Sequence, residues 1–83
     1  MTLTDLRAQV DQLDQKILKL LKERFECCMQ MTVLKDKVVD PGREEELKNM
    51  WKEEARTLGL SEEFALELLS IFLQESKRLQ NAA

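Results

Sequence analysis

The sequence predicts an all-α protein with three helices per chain, one long and two shorter, that pairs as a helical homodimer. An apolar seam at heptad spacing runs through the first 38 or so residues. Only two glycines and one proline occur in 83 residues, too few to punctuate an all-β chain. Hydrophobic residues make up 43% and charged residues 35%, the balance of a folded chain rather than a disordered one. The length allows one small domain, which alone would bury only about 60% of its unfolded surface.

The first helix is expected over about residues 5–38, opening at Thr4 or Asp5 as N-cap. Its seam is Leu6, Val10, Leu13, Ile17, Leu20, Arg24, Cys27, Met31, Leu34 and Val38, with steps of four and three residues in alternation. About 34 residues at 1.5 Å each make a helix about 51 Å long, whereas a compact globule of this chain length is about 30 Å across. The seam therefore needs a partner, and a twofold dimer is the commonest solution. Periodicity stops at Val39-Asp40-Pro41-Gly42, where proline restricts Asp40. A second helix follows over about 43–58, with Asp40 near its N-cap and an apolar face of Leu47, Met50, Trp51, Ala55 and Leu58. Gly59 is its C-cap glycine. Ser61 with Glu62 and Glu63 opens a third helix over about 61–80, whose apolar residues are Phe64, Ala65, Leu68, Leu69, Ile71, Phe72 and Leu79.

Composition also excludes chemistry. The chain has no histidine, which removes His-based acid–base catalysis, Ser-His and Cys-His nucleophiles and nearly every zinc site. No cluster of cysteines and carboxylates has ligand spacing, so neither metal nor organic cofactor is expected. Thirteen basic against sixteen acidic residues give a net charge of −3, which argues against nucleic acid or an anionic membrane as partner. No apolar run approaches the ~18 residues of a membrane span, and the N-terminus lacks a signal-like segment. The neighbours Cys27 and Cys28 read as reduced, buried small hydrophobes, and the expected location is cytoplasmic.

Several polar residues stand where apolar ones belong. Arg24 occupies a seam position between Leu20 and Cys27. Either its stem packs while its head pairs with a carboxylate such as a neighbour's Asp14, or it waits for a ligand. Lys35 lies eleven residues on, which on a continuous helix is within about 20° of the same direction and about 16 Å further along. Arg7 borders the seam about 25 Å from Arg24 on one helix. In an antiparallel dimer centred near residues 15 and 16, Arg7 of one chain faces Arg24 of the other, and two guanidiniums repel unless an anion lies between them. The third helix continues its stripe Ala65, Leu69, Phe72 into Ser76 and Gln80, which is either a frayed polar end or a set of hydrogen-bonding groups. Arg43 and Glu44 are first-turn charges of the second helix, solvated or turned toward the same constellation.

The ordered set of motifs resembles the all-helical chorismate mutases over nearly the whole chain. It comprises Leu6-Arg7, Val10-Asp11-Gln12-Leu13-Asp14, Ile17-Leu18, Leu20-Leu21-Lys22-Glu23-Arg24, Lys35, Asp40-Pro41-Gly42-Arg43-Glu44, Gly59-Leu60, Glu75-Ser76 and Gln80. The resemblance implies an interlocked homodimer that converts chorismate to prephenate, in aromatic amino-acid biosynthesis. It implies that Arg24 and the partner's Arg7 hold the substrate's two carboxylates, with Ser76 assisting at the ring carboxylate. Lys35 and Gln80 then contact the ether oxygen, and Glu44 bonds the ring hydroxyl. The Asp40 region and Arg43 shape that end of the pocket. Only four residues, Asp36 to Val39, separate Lys35 from Asp40, where family members commonly have several more. Helix 1 thus ends earlier or turns more tightly than in those relatives. Gly42 is a second departure, since relatives often carry a helix former there.

The implied reaction is an intramolecular rearrangement in which a C–O bond breaks as a C–C bond forms. No proton moves and no covalent intermediate is needed, so a site without histidine suffices. Cationic clamps can hold the reactive conformer, and donors can stabilise charge growing on the ether oxygen. Two other readings stay open on sequence: an isochorismate-pyruvate lyase, which shares the scaffold, and a non-catalytic helical dimerisation module.

Overall fold

The computed structural model describes residues 1–34 and 40–82, which form α1 (Leu3–Met31), α2 (Pro41–Leu58) and α3 (Glu62–Ala82). No strand occurs among the described residues, and no helix there is long and apolar enough to cross a membrane.

The caps are set by local side chains, and the first lies earlier than expected. Thr2, not Thr4 or Asp5, is the N-cap of α1. The Asp5 N–H donates to Thr2 Oγ1 at 3.1 Å, and the Thr2 N–H donates to Asp5 Oδ2 at 3.0 Å, a reciprocal capping box. The Thr2 backbone N–H, and secondarily its hydroxyl, hold the Asp5 carboxyl below its ordinary value. At the other end α1 stops at Met31 rather than near residue 38. The Thr32 N–H and hydroxyl both turn back to the Met29 carbonyl, at 3.1 and 2.6 Å, and the Leu34 N–H donates to the Met31 carbonyl at 2.9 Å. These short-range bonds compete with helical ones at a point where two β-branched residues, Thr32 and Val33, weaken helix propensity. The seam therefore loses Leu34 to a turn, and Val38 lies outside the described residues.

α2 begins at Pro41, two residues before the expected start, because proline suits the first helical position. The Asp40 carboxylate accepts from the Arg43 N–H at 3.2 Å. α2 ends in a Schellman motif: Gly59 has φ +74°, the Leu60 N–H reaches the Ala55 carbonyl at 2.8 Å, and the Gly59 N–H reaches that of Arg56 at 3.3 Å. Ser61 caps α3 by accepting from the Phe64 N–H at 3.1 Å.

α3 is the central element and touches both other helices. The Phe72 ring meets the edges of Phe25 from α1 and Trp51 from α2, with centroids 6.3 and 5.3 Å away, an arrangement that aromatic quadrupoles favour. Among the described residues the buried apolar ones are Ala55, Ala65 and Leu69, a thin core. α1 buries no side chain. Leu6, Val10, Leu13, Ile17 and Leu20 remain 46–63% exposed. The molecule measures 52 × 27 × 15 Å with a radius of gyration of 15.6 Å, against about 12 Å for a compact chain of this length. A second bare apolar surface is a groove of about 260 Å³ between α2 and α3, walled by Met50, Trp51, Leu58, Leu60, Phe64 and Leu68.

Candidate active site

Where α1 ends, its last carbonyls have no helical partner, and α3 supplies one. Gln80, buried near the end of α3, donates from Nε2 to the Cys28 carbonyl at 2.7 Å. That bond fixes the amide plane and leaves Nε2 a second proton. One turn earlier, the buried Ser76 hydroxyl donates to Cys28 Sγ at 3.7 Å and accepts from Arg24 Nη1 at 3.4 Å. The Arg24 guanidinium also lies over the Phe72 ring, 5.4 Å from its centroid, within cation–π range. Its described partners are thus a hydroxyl and an aromatic face, not a carboxylate, and its charge stays available.

These groups wall a cavity of about 230 Å³ closed on its far side by the start of α2. Of the expected site residues, Arg24, Asp40, Arg43, Glu44, Ser76 and Gln80 all line it. Arg43 is turned toward Glu46, with Nη1 3.1 Å from Oε2. Glu44 is held by Lys77, with Nζ 2.7 Å from Oε1. Arg7 is exposed on the first turns of α1 and does not reach this cavity within the chain. Lys35 lies outside the described residues. The helical projection that gave it the same direction as Arg24 does not carry past Met31, where α1 ends.

Sequence reasoning missed Lys77 and the wall residues Cys28, Leu73 and Met31. The first was findable: Leu73, Ser76, Lys77 and Gln80 share one helical face at steps of three, one and three. Cys28 was read only as a small core residue, because its carbonyl becomes available only when the helix ends beside it. Cys27 is exposed rather than buried.

An all-α scaffold that gathers arginine, hydroxyl and amide donors around a cavity of this size is suited to a small anionic ligand. The chain belongs to the type II chorismate mutase family, described as Chorismate mutase type II, which matches residues 6–81. It is 26% identical over 82 residues to a protein named chorismate mutase from Methanocaldococcus jannaschii, covering 94% of this chain and 83% of that relative. No solved structure matches the chain significantly.

Proposed function

We propose that the chain rearranges chorismate to prephenate as a cytoplasmic homodimer whose two sites each combine residues of both copies. The observation that carries this reading is Arg24: a half-buried guanidinium aimed at a small cavity, backed by Ser76 and Phe72. A charge so placed is expensive to desolvate without an anion.

In this reading Arg24 and the second copy's Arg7 grip the two substrate carboxylates and hold the side chain over the ring, with Ser76 at the ring carboxylate. The free Nε2 proton of Gln80 and the Lys35 ammonium meet the ether oxygen, where negative charge grows as the C–O bond lengthens. Glu44 accepts from the ring hydroxyl, and Asp40 and Arg43 close that end. The bare seam and the apolar groove support pairing, since an exposed apolar surface of this extent marks an interaction face. An antiparallel copy centred near residues 15 and 16 covers the seam and brings its Arg7 to Arg24. The free thiols of Cys27 and Cys28 suit a reducing compartment.

A direct ultraviolet assay on the purified chain tests the reaction. Chorismate should disappear with prephenate as the sole product. Isochorismate cleavage to salicylate would assign the lyase reaction, and no turnover of either substrate would leave a dimerisation module.

A further inference from the structure

Lys77 belongs to none of the roles above, yet its position at the site is specific. Its ammonium lies 2.7 Å from Glu44 Oε1, and the two side chains are 36% and 23% exposed. The pair spans from α3 to the first turn of α2. With Leu73 it forms the partition between the main cavity and a neighbouring one walled by Lys48, Ser70 and Gln74. Arg43, next to Glu44 in sequence, is turned to Glu46 instead, and among the described residues Lys77 is the ionic partner of Glu44.

We propose that Lys77 is a positioning residue, which makes the Glu44 carboxylate usable in a cavity built for a dianion. The inference rests on the functional reading above. A carboxylate facing that cavity without a counter-charge repels the substrate it is meant to orient. Lys77 neutralises Glu44 and fixes its rotamer through Oε1. Oε2 is left as the acceptor for a substrate hydroxyl. The ring hydroxyl takes no part in bond making, so this contact acts alike on bound substrate and transition state. Loss of Lys77 should therefore appear in KM and hardly in kcat.

The test compares steady-state chorismate kinetics of the wild-type chain, Lys77→Met, Lys77→Arg, Glu44→Gln and the double variant Glu44→Gln/Lys77→Met. Circular dichroism confirms each fold, and Lys77→Gln stands in if the methionine variant misfolds. Lys77→Met should raise KM about tenfold with kcat within about threefold of wild type. Lys77→Arg, which keeps the charge, should restore KM to within about twofold. In the Glu44→Gln background, Lys77→Met should change KM by less than about twofold, because no carboxylate is left to position. Three outcomes overturn the proposal: unchanged KM in Lys77→Met, as for a purely structural ion pair; failure of the arginine variant to rescue; or an equal KM effect in both backgrounds, which would put Lys77 directly on the substrate. A wild-type chain inactive on chorismate would overturn the functional reading and this inference together, whereas active wild type with any of the three overturns this inference alone.

Discussion

Arg24 stands in a row of apolar side chains, and its surroundings explain how the fold tolerates it there. The Phe72 face and the Ser76 hydroxyl solvate part of the guanidinium, and the rest opens on the cavity. Two alternatives are open on sequence, an arginine paired with a carboxylate such as a neighbour's Asp14 and an anion clamp; within the chain the head group meets Ser76 and Phe72 of α3, distant in sequence. Lys35 is the complementary case, since its proposed role rests on the family resemblance rather than on a described position. In the proposed reaction charge develops on the ether oxygen only in the transition state, and one preorganised donor is worth about 2.7–4 kcal/mol of barrier. Lys35→Ala should therefore lower kcat at least about a hundredfold with unchanged helicity. Retention of more than about a tenth of wild-type kcat, in stopped or continuous assays, would move Lys35 away from the ether oxygen.

Helices were legible where pattern and cap agree. α2 and α3 were readable because Asp40, Gly59 and Ser61 each punctuate an amphipathic stretch, and their bounds moved by only one or two residues. α1 was overextended, because its heptad count continues through Leu34 and Val38 while Thr32 turns the backbone back on Met29. That early end frees the Cys28 carbonyl for Gln80, so the residue-level site follows from an element-level event that periodicity does not encode. The six residues gathered around the cavity were legible as a set only through motif order. Lys77 lies on a helical face that spacing reveals, but a lysine there reads as solvated, and its pairing with Glu44 is visible only in the structure. The two glycines separate at this scale too. Gly59 has φ +74° with open space around its Cβ position, so Gly59→Ala is opposed by backbone conformation alone and should lose about 1–2 kcal/mol. At Gly42 an added Cβ would meet Asp40 Oδ1 at an ordinary 3.5 Å, so Gly42→Ala should gain about 0.5–1 kcal/mol through helix propensity. Urea melts of both variants check the opposite signs.

At the scale of the molecule, the chain has a long helix without a buried side chain and two bare apolar surfaces. The sequence reading expected a longer first helix, about 51 Å, but the 29-residue α1 is still long for this chain and buries no side chain. The antiparallel pairing proposed above would answer both the bare seam and the separation of Arg7 from Arg24. About 25 Å of helix lies between them within one chain, too far for both to grip one small dianion.

The direct test of that shared site is subunit mixing. Arg7→Ala and Arg24→Ala homodimers should each be nearly inactive on chorismate. Unfolded together and refolded as an equimolar mixture, they should give about half heterodimers by random pairing. Each heterodimer then has one site with both lesions and one with neither, so the mixture should recover roughly a quarter of wild-type activity. If both arginines of a site came from the same chain, every heterodimer site would carry one lesion. No recovery, with subunit exchange verified by mass-tagged chains, would contradict the shared-site dimer.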